Sequence, residues 1–311
     1  MEPTRSQALG ISLVVTFLWS SSFVLVKIGL QGMHPLMLVA LRYGLASLVL
    51  GLLVLVRFHH GTSASLGIPR RGILVLGLAG YAVAQGLQVY GLYYLPSVMV
   101  SFILNFTPLL VLALGIVFLG ERPTRVQGVG FAVTMAGVAL YFGHQGLGGN
   151  TAGIVITALA GSGWAAYMVL SRAVLTRHQP DLALYTAATM GCGSVAMLIM
   201  AALSGTLSVP SARGAAIILW LGLVNTAAAF VLWNYAVSGL PAYEHSVLQN
   251  TMLVQIAVLA WLFLGERLSV AQYAGIMCVV VGIAVVQMGG TPWFRTFLSR
   301  AIRLLARGEH P

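Results

Sequence analysis

Apolar runs long enough to cross a bilayer follow one another along almost the whole chain. They lie near residues 9–30, 35–56, 72–93, 96–119, 126–142, 152–174, 182–203, 215–237, 241–264 and 270–288. A membrane-crossing helix needs about 20 predominantly apolar residues, so the pattern predicts ten spanning helices. Pro96 and Pro241 each open a run, where the missing N–H would have had no intrahelical acceptor in any case. Residues 143–150 (GHQGLGGN) form an uncharged, glycine-rich joint near the midpoint.

The second half repeats the first. Shifting the chain by 145 residues without a gap lays Pro96–Phe142 over Pro241–Gln287 with 13 identities in 47 positions. Among them is the run Phe118–Arg122 over Phe263–Arg267. The same register pairs Trp19 with Trp164, Lys27 with Arg172, Pro35 with Pro180, Gly77 with Gly222 and Tyr90 with Tyr235. Five spans per copy is an odd number, so the second copy must enter the membrane from the opposite face. The expected fold is all-α integral membrane: ten transmembrane helices as two inverted five-helix repeats around a central cavity. The expected domains are residues 1–145, residues 146–290 and a basic tail, 291–311. In the tail Trp293, Phe294, Phe297, Leu298, Ala301, Leu304 and Leu305 recur at helical spacing among arginines. That pattern fits a helix lying on a membrane surface, or a frayed tail that only supplies positive charge.

Composition agrees with the periodicity. Charged residues make up 7% of the chain and hydrophobic ones 59%, against about 25% charged in a soluble domain. The net charge of +10 therefore does not describe a nucleic-acid binder, whose basic residues would cluster on a polar surface. Here they sit between apolar runs. Arg5, Arg57, Arg70, Arg71, Arg122, Arg125, Arg172, Arg177 and the tail arginines fall on one side. Arg213 and Arg267 fall on the other, with Lys27 and Arg42 close to it and expected to snorkel or pair there. The bias places both termini in the cytoplasm. Cys192 and Cys278 lie within apolar runs and suggest neither a disulfide nor a metal site. No cofactor is expected. The expected partners are the lipid bilayer and a small-molecule solute and not nucleic acid; spans 5 and 10 expose apolar faces to a partner or to lipid, so the monomer is one of two states left open.

Polar side chains at depth are costly unless they face a partner or a wet cavity, so their positions map a pathway. The first span offers Trp19 and Ser20–Ser22, the third Gln85 and Gln88, and the fourth Ser101 and Asn105. Their inverted mates offer Ser162, Trp164 and Tyr167, then Asn225 and Thr226, then Gln249, Asn250 and Gln255. Spans 1, 3, 4, 6, 8 and 9 would then surround the cavity, with 2, 5, 7 and 10 as scaffold. Interhelical pairing of the same amides is the plainer alternative for any one of them. The candidate binding residues are Trp19, Ser20, Gln85, Gln88, Asn105, Trp164, Tyr167, Asn225, Gln249 and Asn250. Such a lining hydrogen-bonds a neutral or zwitterionic solute and offers ring faces to an ammonium group. It holds no mid-depth carboxylate, which argues against proton-coupled multidrug transport, and it could not neutralise a dianion.

Three further residues are gating or coupling candidates. Pro108 interrupts the fourth span and frees a carbonyl. Glu244 and His245 sit one turn into the ninth, as a gate or proton relay or, for Glu244, only as a favourable charge at a helix N-terminus. Glu121 and Glu266 read as end-anchors beside arginine. An intramembrane enzyme would need a base, paired carboxylates or a metal near a deep serine, and the sequence places none there.

LWSSSF (Leu18–Phe23), Pro35 with Arg42, TPLL (Thr107–Leu110) running into LGER (Leu119–Arg122), WAAYMVLSR (Trp164–Arg172) and the second LGER (Leu264–Arg267) together resemble the drug/metabolite transporter superfamily. The resemblance is to its ten-helix EamA-type exporters, and within them to amino-acid and metabolite exporters of the YddG type, over about residues 8–288. It implies export of amino acids or related metabolites across a bacterial inner membrane by alternating access. Efflux of cationic or aromatic toxic compounds is the alternative. One departure from the family pattern is Leu253, where a proline matching Pro108 would be expected.

Overall fold

The computed structural model describes residues 3–59, 67–143, 150–264 and 269–289. The tail from residue 291, most of the joint between the copies, Glu266 and Arg267 lie outside the described residues. No β-strand occurs among those described. The spans are α1 (Arg5–Leu30), α2 (Pro35–His59), α3 (Arg70–Tyr94), α4 (Ser97–Leu104 continued by 107–119) and α5 (Arg125–Phe142). The second copy supplies α6 (Thr151–His178), α7 (Leu182–Leu203), α8 (Ala212–Gly239), α9 (Ala242–Leu248 with Thr251–Leu264) and α10 (Val270–Gly289). Among the described residues nine helices are long and apolar enough to cross a membrane, and α4 and α9 are each built in two pieces.

Local signals set the helix starts. Thr4 and Gln7 form a capping box at α1, and Thr124 and Gln127 form another at α5, each satisfying orphan N–H groups reciprocally. Ser269 and Gln272, one repeat length after Thr124 and Gln127, make the same exchange before α10. Asn150, Asp181 and Ser211 cap α6, α7 and α8.

The chain forms two compact units. The larger comprises residues 1–120 and 146–256 and holds α1–α4 and α6–α8 with most of α9. In it the repeat mates α2 and α7 pack face to face and antiparallel. Ser47 donates to the Ala187 carbonyl and Ser194 to the Ala40 carbonyl, both at 2.9 Å. Two other mates tie helix ends. Lys27 Nζ donates to the Leu92 carbonyl (2.8 Å), and Arg172 Nη1 donates to Val237, the mate of Leu92. Each cation thus satisfies carbonyls that a helix terminus leaves without partners. Lys27 is thus paired at a helix end, one of its two expected fates.

The smaller unit, residues 121–145 and 257–311, contains the mates α5 and α10. A Cβ on Gly130 would lie 2.9 Å from the Gly282 carbonyl, and one on Gly137 would lie 2.8 Å from that of Gly275. Gly275 and Gly282 are the mates of Gly130 and Gly137, so the helices run antiparallel with backbones in direct contact, as small residues permit in lipid.

Candidate functional site

Four local departures from regular helix shape the interior of the larger unit. The third and eighth spans each widen into a π-helical stretch at the same repeat position, Leu78–Gly86 and Leu223–Ala228. Such turns recur at functional sites. The fourth span breaks at Asn105–Phe106 and the ninth at Gln249–Asn250, again nearly one repeat apart. Pro108 lies in the first turn of the second half of α4. The break in α9 needs no proline. There Met252 N–H donates to Gln249 and Leu253 N–H to Asn250, both three residues back, while Thr251 Oγ1 donates to the Leu248 carbonyl. A hydroxyl that competes for backbone carbonyls replaces the imino acid. Leu253 in place of a proline therefore does not leave the second copy unbroken.

Between these elements lies a cavity of about 90 Å³, room for several waters or a small solute. Its wall includes Trp19, Ser22, Gln85, Gln88, Ser101, Asn105, Thr107, Trp164, Gln249 and Asn250. Trp19 and Trp164 form one end, edge to face with centroids 5.7 Å apart. Trp19 Nε1 donates to the Asn225 carbonyl (3.1 Å), and Trp164 Nε1 donates to Gln249 Oε1 (2.9 Å). The lining runs from Trp19 to Val26 on α1 and from Gln85 to Leu92 on α3, so the cavity lies on the Lys27 side of the tryptophans.

The other side is closed. Trp19 packs on Phe230 (5.1 Å) and Trp233 (4.7 Å), and Trp233 meets the His245 ring at 4.0 Å. Every residue of Ala242–Leu248 is buried. Glu244 forms an ion pair with Arg5 at 2.6 Å. Glu244 and His245 thus sit behind the aromatic layer and do not touch the cavity, and neither nitrogen of His245 has a hydrogen-bond partner among the described residues. Pro108 is buried and outside the lining.

Three of the expected binding residues lie elsewhere. Tyr167 is fully buried in an interhelical network, donating to Asn234 Oδ1 (3.0 Å) and bonded to the Tyr81 hydroxyl (3.0 Å). Its ring leaves no room for a side chain at Gly80, where a Cβ would fall 2.3 Å from Tyr167 Cδ2. Ser20 donates to Gln255 Oε1 (3.0 Å) in a ladder of polar groups joining α1 to α9. Asn225 donates to the Leu18 carbonyl and to Ser21 Oγ, bracing α8 against α1. The Trp19 ring covers α8, which contributes nothing to the lining. α2 takes its place.

What α2 contributes is Arg42. The expected scaffold helix carries a guanidinium that is 5% exposed, lines the cavity and does not snorkel. Its Nε donates to Thr226 Oγ1 (2.6 Å) and Nη2 makes a long contact with the Asn225 carbonyl (3.4 Å). The Tyr43 ring lies 5.2 Å from Cζ. An arginine buried in a membrane helix is costly, and its hydrogen bonds to α8 offset part of that. The cavity is therefore not electrically neutral. Counting polar residues by depth gave Arg42 an interfacial position, because depth along a helix does not tell which face the residue occupies. No group of three His, Cys, Asp or Glu that could hold a metal ion occurs among the described residues.

Comparison with known proteins gives concordant results. The EamA-like transporter family matches residues 7–143 and 151–288, two copies in one chain. A "Probable terminal-alkyne amino-acid exporter" of Streptantibioticus cattleyicolor is 28% identical over 280 residues, covering 84% of this chain and 86% of that protein. The "Uncharacterized inner membrane transporter YedA" of Escherichia coli K12 is 23% identical, covering 88% of each. A protein of known crystal structure superposes with TM-score 0.76 over 91% of this chain and 98% of that chain at 19% identity, a likeness of fold.

Proposed function

The chain belongs to the EamA-like transporter family, and on that premise we propose that it exports small zwitterionic metabolites, free amino acids above all, by alternating access. The observation that carries this reading is the polar cavity, walled by six spans of both copies and sealed on one side by Trp19, Trp164, Phe230 and Trp233. A solute in that cavity meets amides and hydroxyls from several directions, ring faces at one end and no carboxylate. The Arg42 guanidinium on the wall weighs against cationic toxins as the cargo. The name of the Streptantibioticus relative supports amino acids. We place the Arg5 end of α1 and the C-terminal tail in the cytoplasm, following the arginine bias. The conformer described then faces the far side, with its cytoplasmic gate shut by the aromatic layer and the Arg5–Glu244 pair. In a bacterium the membrane would be the inner one.

The test is flux in proteoliposomes, with the twenty labelled L-amino acids presented with and without a pH gradient. Saturable movement of at least one is the expected result, and the gradient reports any coupling to protons. Folded protein that moves none of them would overturn the proposal.

A further inference from the structure

We infer that Arg42 is a carboxylate anchor, so that cargo must carry a free carboxylate; the inference rests on the transport reading above and narrows it.

The guanidinium stands in an unusual electrical setting. The described carboxylates are engaged or positioned elsewhere: Glu244 pairs with Arg5, Asp181 accepts from Leu184 N–H, and Glu121 lies beyond the end of α4. None is within ion-pair distance of Arg42 among the described residues. A buried cation without a counter-ion is costly, and what stands against it here is the cavity. The bonds of Arg42 occupy one side of its fork. Nε is held by Thr226 and one N–H of Nη2 reaches towards Asn225, while Nη1 has no hydrogen bond among the described residues. A fork held along one edge leaves the donors that bind a planar carboxylate in bidentate fashion.

Internal repetition separates this reading from a packing role. The mate of Arg42 is Ala187, and the mate of its partner Thr226 is Tyr81. In the second copy α7 packs on α3 at this seam without a charge, Gly193 lying against Tyr81 and the Gly77 carbonyl. The same helix pair can therefore be joined with alanine, and only the seam bordering the cavity carries a guanidinium. A second polar side chain, Asn250, lines the same cavity. It is 1% exposed and its Nδ2 has no hydrogen-bond partner among the described residues, whereas Nδ2 of its mate Asn105 donates to the Ser101 carbonyl (2.7 Å). One cation and one uncommitted amide suit a single oxyanion, leaving an ammonium group to the carbonyl oxygens and tryptophan faces.

The experiment measures flux and ligand-induced thermal protection with the full-length chain. Each L-amino acid is compared with its carboxamide, and with acetate, propionate and chloride. Wild-type protein is expected to favour the acid over its amide by at least tenfold. In Arg42→Gln that ratio should fall to about one, and Arg42→Lys, which keeps the charge without the fork, should lie between. Thr226→Val keeps the guanidinium but frees it, giving a folded variant with a reduced ratio should Arg42→Gln fail to fold. An acid-to-amide ratio near one in wild type, or an unchanged ratio in Arg42→Gln, overturns the anchor. Movement of plain monocarboxylates but no amino acid, abolished in Arg42→Gln, would uphold the anchor and overturn the zwitterion reading. Recognition of chloride alone, or of nothing bearing a carboxylate, would overturn the anchor.

Discussion

Trp19 and Trp164, separated by one repeat length, meet edge to face at 5.7 Å. Two copies of one residue thus form the end wall of the cavity, and the pseudo-two-fold relation passes close to their contact. Their N–H groups have different partners: Trp19 is pinned to backbone on α8, whereas Trp164 is pinned to a side chain at the break in α9. A shift of α9 at Gln249 would break the bond that fixes the Trp164 N–H.

Replacing either ring should lower flux at least tenfold while the protein still folds. Trp19→Ala or Trp164→Ala removes a large buried side chain, a loss of about 3–5 kcal/mol in a well-packed core, readable as a lower Tm in detergent. Trp164→Phe keeps an aromatic ring but loses the bond to Gln249, and should fall between. Wild-type flux in both alanine variants would take the rings out of the pathway.

Asn250 and Asn105 should respond in opposite directions to the same change. Asn250→Leu removes a buried donor that has no partner among the described residues, a group whose desolvation costs about 1–3 kcal/mol, so the variant should melt higher and transport less. Asn105→Leu breaks bonds to Ser101 and should melt lower. A drop in Tm for Asn250→Leu would mean that its amide is structural.

Gly80→Ala should destabilise by about 1–3 kcal/mol, the usual cost of overpacking, because the new Cβ would overlap the Tyr167 ring. Gly10→Ala, where nothing lies within 4 Å, supplies the control. Equal melting temperatures for the two variants would contradict the close approach of α3 and α6.

Arg5→Gln should loosen the closed side. Losing one partner of a fully buried pair costs about 3–5 kcal/mol, and the figure here should be smaller because the Arg5 side chain is 28% exposed. The more direct readout is access. A cysteine placed at position 245 should resist a water-soluble maleimide when Arg5 is present and react in Arg5→Gln. Equal labelling rates would separate the ion pair from the seal.

Much of the architecture is legible in the chain because lipid leaves few options: span length, odd repeat number and capping residues such as Thr124 and Gln127 each follow from a local rule. Depth was legible too, and it brought Gln85, Gln88, Asn105, Gln249 and Asn250 to one cavity. Rotation was not. Tyr167 is one turn from Trp164 yet faces Tyr81 and Asn234, and Asn225 is at cavity depth but screened by Trp19. Arg42 is the converse case, peripheral by its position along the span but turned inward. The break in α9 is not legible in the chain because Thr251 and its hydroxyl make it without a proline.

The glycine joint between α5 and α10 is isologous, each half contacting the other through the same surface. One successful solution in a single ancestral unit would therefore satisfy both sides at once when two such units lay in opposite senses. Fusion into one chain removes that obligation. Gly130 and Gly275 are then free to vary separately, and a bulky replacement at one could be matched by a neighbour of the other. Arg42 facing an alanine mate is what such release looks like once it has been put to use.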